Sequence, residues 1–555
     1  MKKLISRCNF LKMGALASAV MMLAACGGGA GGGKDSAANV DVTGTVSFPL
    51  AEQVTFTGMT SYPVGSESEP NNRTIFKRLE EATNVHIDWT AIQADQWSDK
   101  ITLNMSNPNT LTDFVFTADF SDSDLLRYAD QGVIVNLEDY IDNNMPNLKK
   151  VFEMYPEYRT MCTDSEGHIW ALPWIEQLGS EKTAIQTVGN MSFINKKWLD
   201  FLGLEMPTTV DEFEQVLIAF RDNAELLLGA DAAKMVPFSI STDIGWRADL
   251  LNVSKVPEDV SDETLYVYGY DDRHLLYPNY KEGIRVLNQW YNEGLIWKDF
   301  ALYTDASVED DMMKSGFVGA FIHNWDYPYR NGEDSIQANL TRANGADAGF
   351  IAVDCFQNDA GITRKYLADR IDRKVFFPAT NDEPLASLLY LNFISSEETI
   401  KFLQTGKEGV TYKMTDNGAY EMLNATGEWI MNSGMNIDHT ITVNGLYLGD
   451  ATAATKALSY PGVNPDFIIT ANTYGKLNGR IVKKFSCGAI SAEEDVGTSL
   501  NSKRDAMLTQ AVVAPVDQFD SVYDKGMADY LASGGQNIID ERREKLEAIY
   551  GVHVD

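Results

Sequence analysis

The hydrophobic positions in the first part of the chain follow two alternating patterns. Short segments in which apolar and polar residues alternate, or in which apolar residues are continuous, predict strands, and the segments between them have the spacing of helices. In chain order the predicted elements are strand 53–59, helix 70–83, strand 84–92, helix 96–105 and strand 112–117. This β-α-β-α-β order predicts a parallel sheet covered by helices. Ligands of such sheets bind beyond the carboxyl ends of the strands, so the loops after Met59 and Thr117 are candidate binding loops.

From Phe193 onward the pattern becomes rich in helices. Thr209 and Glu212 have the spacing of a capping box, which predicts the start of a helix there. Five apolar residues then recur on one face of that helix: Val210, Phe213, Val216, Leu217 and Phe220. A second amphipathic helix is predicted over 537–550, after a pair of glycines.

The first 25 residues have the pattern of a bacterial lipoprotein signal peptide. A basic start precedes an uncharged run from Met13 to Ala25, which is shorter than the roughly 20 apolar residues that span a bilayer. The run ends in Leu23-Ala24-Ala25-Cys26, which matches the lipobox. We therefore expect cleavage before Cys26 and a lipid on its thiol, which would anchor the protein on the outer face of the cell membrane.

A glycine-rich segment follows Cys26. Residues 27–33 are six glycines and one alanine, and Asp35 stands after Gly33-Lys34 where a phosphate-binding loop needs Ser or Thr. We therefore expect residues 26–50 to form a flexible tether, and coil of that length reaches about 25 to 30 Å.

The chain is strongly acidic. It has 46 Lys and Arg against 79 Asp and Glu, a net charge of −33, and loss of the signal peptide would remove four of the cations. Nucleic acid and anionic lipid headgroups repel such a body, so no nucleic-acid partner is expected. A chain of 555 residues also predicts more than one domain, because single cores stop growing near about 250 to 300 residues.

Catalytic and metal-binding motifs are missing from the sequence. It has no Gly-x-Ser-x-Gly elbow and no paired His or Cys at metal-ligand spacing, and Asp305 to Asp311 lacks the glycine and closing glutamate of a calcium loop. Cys162, Cys355 and Cys487 are widely spaced and are expected to be buried free thiols. No catalytic residue, metal or cofactor is therefore predicted, although 79 acidic side chains leave a glycosidase-like carboxylate pair open.

Seven segments share their pattern and order with one protein family. They are 113–119, 128–141, 164–173, 193–213, 291–296, 317–321 and 405–412. The most specific is 193–213, Phe-Ile-Asn-Lys-Lys-Trp-Leu-Asp-Phe-Leu-Gly-Leu-Glu-Met-Pro-Thr-Thr-Val-Asp-Glu-Phe. Together they resemble the extracellular solute-binding lipoproteins of ATP-driven importers, in the large carbohydrate-binding family of Gram-positive bacteria (family 1).

The resemblance implies a two-lobed α/β fold of the type II periplasmic-binding-protein kind, with the ligand in a cleft between the lobes. Lobe one is expected to contain residues 51–170 and a later return segment around 300–370. Residues 171–555 are expected to lie mostly in lobe two and to include the hinge crossovers. The implied function is capture of an oligosaccharide and its delivery to the permease subunits of an ABC transporter, without catalysis. Closure of such lobes around a ligand is a hinge motion.

Aromatic rings stack on the C–H faces of sugars, while polar side chains bond the hydroxyls. Candidates are the aromatic and polar residues in loops that follow predicted strands. They are Tyr62, Asp119, Phe120, Trp174, Trp246, Arg247, Trp325, Asp326 and Tyr327. Trp198 and Trp290 are expected to be structural.

Two other functions stay open at this point. The same fold could bind a peptide or another organic solute instead of a sugar. The protein could also be a surface carbohydrate-active enzyme. The sequence leaves the identity of the solute open in every case.

Overall fold

The computed structural model describes most of the chain after residue 45, in segments. The described residues are 46–62, 70–118, 122–154, 156–164, 166–173, 190–241, 243–269, 276, 279–303, 307–329, 332–367, 373–396, 398–399, 402, 406–414, 416, 420–423, 462–476, 479–483, 485, 487–488 and 490–555. They divide into two units. The first contains the described residues of 46–173 and 373–411, and the second contains those of 190–367, 412–423 and 462–555.

The strands and helices are numbered separately along the chain. The strands are β1 Val54–Tyr62, β2 Val85–Gln93, β3 Phe114–Ala118, β4 Leu172–Pro173, β5 Met191–Asn195, β6 Val236–Ser239, β7 Val318–His323, β8 Phe350–Val353, β9 Lys365–Leu367, β10 Arg373–Phe376, β11 Tyr412–Met414, β12 Tyr420–Met422 and β13 Gly479–Ile481. The helices are α1 Thr74–Thr83, α2 Ala94–Ser106, α3 Asp122–Asp130, α4 Glu138–Asn144, α5 Pro146–Met154, α6 Pro156–Cys162, α7 Lys196–Phe201, α8 Val210–Asp222, α9 Ala224–Leu228, α10 Ile244–Arg247, α11 Asp249–Ser254, α12 Asp262–Tyr268, α13 Tyr280–Asn292, α14 Ser307–Lys314, α15 Ile336–Asn344, α16 Pro384–Ile394, α17 Asp466–Lys476, α18 Ser491–Val513, α19 Phe519–Tyr530 and α20 Gln536–Tyr550.

The first unit is built on a five-stranded sheet in the order β2-β1-β3-β10-β4. β1 is parallel to both β2 and β3, so the predicted β-α-β-α-β order and its parallel sheet are confirmed. β10 is antiparallel to β3 and β4, and its first residues lie beside Ala118 and Pro173. The carboxyl ends of β1, β3 and β4 therefore share one edge of this sheet.

The second unit contains a four-stranded sheet in the order β6-β7-β5-β8. β6 and β7 are parallel, while β5 is antiparallel to β7 and β8. Because successive side chains of a strand point to opposite faces, Phe193 and Phe321 join the core on one face, and Ile194 and Ile322 join the core on the other. The sheet is thus covered on both sides.

Helix α8 begins where the sequence predicts. Thr209 is its N-cap and accepts a bond from the Glu212 amide, while the Glu212 carboxylate accepts from the Thr208 amide at 2.7 Å. The predicted apolar face is buried, and the Phe213 ring contacts the rings of Phe238 and Trp290. Both the helix start and its core-facing side are confirmed.

The return segment lies later in the chain than predicted. Residues 300–370 belong to the second unit, and the chain returns to the first sheet at β10 and continues into α16. The reason is that β7 has five consecutive buried residues, Val318 to Ile322, and pairs with strands on both sides in the middle of the second sheet. The expected return around 300–370 is therefore wrong.

The C-terminal part of the second unit is helical. The predicted last helix is confirmed as α20, which follows Gly534 at φ 127°. Among the described residues, Cys162, Cys355 and Cys487 form no disulfide, and Cys162 is partly exposed rather than buried. Within the described segments, no helix is long and apolar enough to cross a membrane.

Candidate functional site

In the second unit, two parallel strands end next to the segments that carry five of the predicted ligand residues. β6 ends at Ser239 and is followed by α10, which contains Trp246 and Arg247. β7 ends at His323 and is followed by Trp325, Asp326 and Tyr327. The carboxyl ends of neighbouring parallel strands form the usual ligand-binding edge of an α/β sheet.

One histidine links these two segments. The His323 ring lies parallel to the Tyr327 ring, with 3.3 Å between centroids and 10° between planes. The same His323 ring is perpendicular to the Trp246 indole, with centroids 5.1 Å apart and an angle of 89°. We call Trp246, His323 and Tyr327 the β7 aromatic cluster. All three residues are partly exposed.

Trp325 and Asp326 lie beside the cluster and are also partly exposed. Trp325 packs against the core on the Phe321 face of the sheet. The structure therefore brings the two predicted groups, Trp246 with Arg247 and Trp325 to Tyr327, to the same edge. Their contact with a ligand stays a prediction.

Arg247 is the last residue of α10, and its side chain is buried rather than at the surface. Its Nη2 donates to both carboxylate oxygens of Glu309, at 2.5 and 2.6 Å, and both residues are 3% exposed. The Ser239 hydroxyl donates to the same carboxylate at 2.7 Å. This buried ion pair joins α10 to α14 and to the end of β6. The arrangement anchors the helix that carries Trp246, and a direct ligand contact by Arg247 stays a prediction.

A second carboxylate on α14 holds Tyr327. The Tyr327 hydroxyl donates to Asp310 Oδ1 at 2.8 Å. Burial raises the pKa of Asp310, an effect that the bond from Tyr327 opposes, and burial with the nearby Asp310 charge raises the pKa of Tyr327. The raised pKa of Tyr327 keeps its hydroxyl protonated at neutral pH, so it can donate in this bond.

Asn190 lies on the other side of α10. Its Nδ2 donates to the Trp246 carbonyl oxygen, and its Oδ1 is buried without a hydrogen-bond partner. Four residues of this site, Asn190, Glu309, Asp310 and His323, were not predicted from sequence. Glu309 and Asp310 stand in an acidic run that resembles ordinary solvated surface. The position of His323 at the end of an apolar strand is the one available signal for it.

The remaining predicted ligand residues belong to the first unit. Tyr62 is the last residue of β1, at the edge where β3 and β4 also end. Asp119, Phe120 and Trp174, as well as the Tyr62 side chain, lie outside the described residues. Cys26 and residues 26–45 of the predicted tether lie outside them too. The predicted end of the tether at residue 50 is wrong, because Leu50 is buried and its amide donates to the Thr83 carbonyl oxygen at the end of α1.

The segment that leads into β4 is held by a compact turn. Asp164 Oδ1 accepts from the Glu166 and His168 amides at 2.9 Å each, and Asp164 Oδ2 accepts from the Trp170 indole at 2.8 Å. This turn fixes the chain that ends at Pro173, immediately before Trp174. In the described segments, no group of three or more His, Cys, Asp or Glu side chains is arranged to hold a metal ion.

Comparison with known proteins gives related sequences, although no protein-family model matches the chain. The fructooligosaccharide ABC transporter substrate-binding protein FusA of Streptococcus pneumoniae serotype 4 is 37% identical over 291 residues, which are 52% of this chain and 50% of FusA. The match thus spans about half the length of that relative. The polygalacturonan/rhamnogalacturonan-binding protein YtcQ of Bacillus subtilis is 20% identical over 489 residues, 87% of this chain and 89% of YtcQ.

A solved structure extends the comparison to nearly the whole fold. The S. pneumoniae FusA complex with kestose superposes with a TM-score of 0.64 and 21% identity, covering 90% of this chain and 99% of that one. The chain is therefore similar, over about half of its length, to the substrate-binding protein of an ABC transporter, and it shares the fold of that protein. The resemblance seen in the sequence is confirmed, and so is the two-lobed solute-binding fold.

Proposed function

We propose that the protein is an extracellular receptor that captures an oligosaccharide and delivers it to the permease of an ABC transporter. The β7 aromatic cluster is the observation that carries this proposal. It presents partly exposed Trp and Tyr rings at the carboxyl edge of a parallel strand pair, in a fold shared with a receptor solved with kestose. The match to FusA over half of that protein supports the same class of ligand.

The chemistry of the cluster suits a sugar. Flat aromatic faces stack on the apolar C–H faces of a pyranose or furanose ring, and buried polar groups discriminate because a wrong ligand leaves them unpaired. Trp246, Trp325 and Tyr327 supply the faces, and Asp326 supplies a hydrogen-bond acceptor. Tyr62, Asp119, Phe120 and Trp174 are the matching candidates in the first unit.

The sequence also supports a location of the protein on the cell surface. Cleavage before Cys26 and lipid on its thiol would hold the protein on the extracellular face, with the glycine-rich segment after Cys26 as the tether. A tethered receptor is kept at a high effective concentration near a permease in the same membrane. The net charge of −33 supports a surface that is repelled by anionic headgroups and moves freely above them.

A non-catalytic role is favoured over an enzyme. FusA and YtcQ are both named as binding proteins, and the sequence has no Gly-x-Ser-x-Gly elbow and no paired His or Cys at metal-ligand spacing. Within the same fold, an oligosaccharide is favoured over a peptide because both relatives are named for carbohydrate ligands.

A ligand panel tests the proposal. The mature protein is heated with kestose, maltotetraose, an oligogalacturonide and a peptide mixture, and the sugar is recovered afterwards. We expect at least one saccharide to raise the melting temperature and to be recovered intact, since a ligand that binds only the folded state stabilises it. Recovery of shortened sugar would support the enzyme instead. Stabilisation by the peptides alone would contradict the carbohydrate ligand.

A further inference from the structure

His323 is the one residue of the β7 aromatic cluster that contacts both of the others. Tyr327 stacks on its ring at 3.3 Å, and Trp246 meets it at 89°. Trp246 and Tyr327 also have anchors of their own, which include the Asn190 bond to the Trp246 backbone and the Asp310 bond to the Tyr327 hydroxyl. Neither anchor fixes the angle between the two aromatic faces.

The protonation state of the His323 ring is set by the backbone. The Asn324 amide donates to His323 Nδ1 at 2.8 Å, so Nδ1 must be unprotonated in this arrangement and the ring proton stands on Nε2. Adding a proton to Nδ1 would place two N–H groups against each other. The bond would be lost, and the ring would have to turn away from the Asn324 amide.

We propose that His323 is a positioning residue which holds Trp246 and Tyr327 in the orientation that the ligand requires, and that protonation of its ring weakens ligand binding. This inference rests on the proposed carbohydrate site, and it makes the affinity of that site depend on pH. Affinity is then high at neutral pH and falls as the surroundings become acidic, which would release ligand or reduce uptake in acid.

Other charged groups stand on the elements around His323, and their contributions have to be separated from its own. They are Asp243 and Arg247 on and before α10, Glu309, Asp310 and Lys314 on α14, and Asp326 in the loop after β7. Arg247 and Glu309 neutralise each other as an ion pair. Asp310 is the group most able to imitate the effect, because its raised pKa moves its titration toward the same acidic range.

Three substitutions separate the effects of the His323 ring, its titrating nitrogen and the Asp310 carboxylate. His323→Phe keeps an aromatic ring between Trp246 and Tyr327 but has no group that gains a proton. His323→Ala removes the ring as well. Asp310→Asn keeps an acceptor for the Tyr327 hydroxyl and removes the carboxylate titration. Each protein is first shown to be folded by its unfolding midpoint without ligand at both pH values.

The experiment measures dissociation constants of the mature protein at about pH 7.5 and about pH 5, a range in which imidazole changes charge. The probes are the saccharides of the thermal panel, kestose among them. We expect the wild-type dissociation constant to rise about tenfold in acid, and the Asp310→Asn constant to rise similarly. His323→Phe should lose about threefold in affinity at neutral pH and show no further loss in acid. His323→Ala should lose about tenfold at both pH values.

Different results would contradict the role of His323 and the binding of a saccharide. A wild-type protein that binds equally well at both pH values, or a His323→Phe protein that keeps the acid loss, would overturn the role of the His323 proton. Unchanged affinity in His323→Ala would overturn its positioning role. A wild-type protein that binds none of the saccharides at either pH would contradict the carbohydrate receptor itself, and this inference with it.

Discussion

The buried ion pair between Arg247 and Glu309 should contribute strongly to the stability of the second unit. Substitution of Glu309 by Ala removes both acceptors of the Arg247 guanidinium, at 2.5 and 2.6 Å, and the acceptor of the Ser239 hydroxyl. Arg247 is 3% exposed, so water does not replace the lost carboxylate. The variant therefore leaves the positive charge of Arg247 inside the second unit without the carboxylate that accepts its hydrogen bonds.

The magnitude follows from that burial. Breaking a buried pair by removing one partner costs about 3 to 5 kcal/mol, whereas replacing both partners by apolar residues is often close to neutral. We therefore expect Glu309→Ala to lower the free energy of unfolding of the second unit by about 3 to 5 kcal/mol. The double variant Arg247→Met with Glu309→Leu should recover at least about 2 kcal/mol of this loss.

The assay is urea unfolding followed by circular dichroism, with the transition midpoint and slope compared among the variants. Asp311→Asn is the matched control, because Asp311 is an exposed acid on the same helix, and its change should stay within about 0.5 kcal/mol. A loss below about 1 kcal/mol in Glu309→Ala, or a double variant as unstable as the single one, would refute the role given to the ion pair.

Three further predictions concern other parts of the chain. Trp174→Ala should weaken saccharide binding with little change in the unfolding midpoint, and an unaltered dissociation constant by calorimetry would show that Trp174 is not a ligand residue. Thr209→Ala removes the N-cap of α8 and should cost about 1 kcal/mol in urea unfolding, while no change would argue against the cap. Burial alone would raise the pKa of Glu541, but bonds from the Ala492 amide, Lys545 and the Ser491 amide bring it below its ordinary value of 4.5. Its carboxylate thus stabilises the fold above that pH and loses this effect in acid. Glu541→Gln should therefore lower the free energy of unfolding by about 1 kcal/mol at neutral pH and by less as the pH falls below about 4. An equal loss at neutral and at acidic pH would contradict this.

Local patterns in the sequence predict much of the fold because their physical causes are local. The alternation that predicts β1, β2 and β3 depends only on which face of a strand is buried, and these strands form the parallel sheet that it implies. The start of α8 depends on Thr209 and on residues within four positions of it. Such features need no knowledge of distant contacts.

The misplaced elements depend on distant contacts. β7 and β10 are both short strands, and nothing local tells which sheet each one enters. Arg247 is a polar residue after a turn, which favours an exposed position, yet Glu309 lies 62 residues later and buries it. The linking role of His323 also depends on α10 and the loop after β7 coming together. Pairings of this kind are fixed by tertiary packing.

The central claim is that the β7 aromatic cluster binds a saccharide. Calorimetric titration of the mature protein with the saccharide that stabilises it most tests this directly, in wild type, in Trp246→Ala and in the control Tyr303→Ala. Tyr303 is an exposed aromatic residue, at 40%, which stacks on Trp297 outside the cluster. We predict that Trp246→Ala weakens binding at least about tenfold, since stacking and burial of an indole face are lost, and that Tyr303→Ala binds as wild type does. Equal dissociation constants for wild type and Trp246→Ala would contradict the claim.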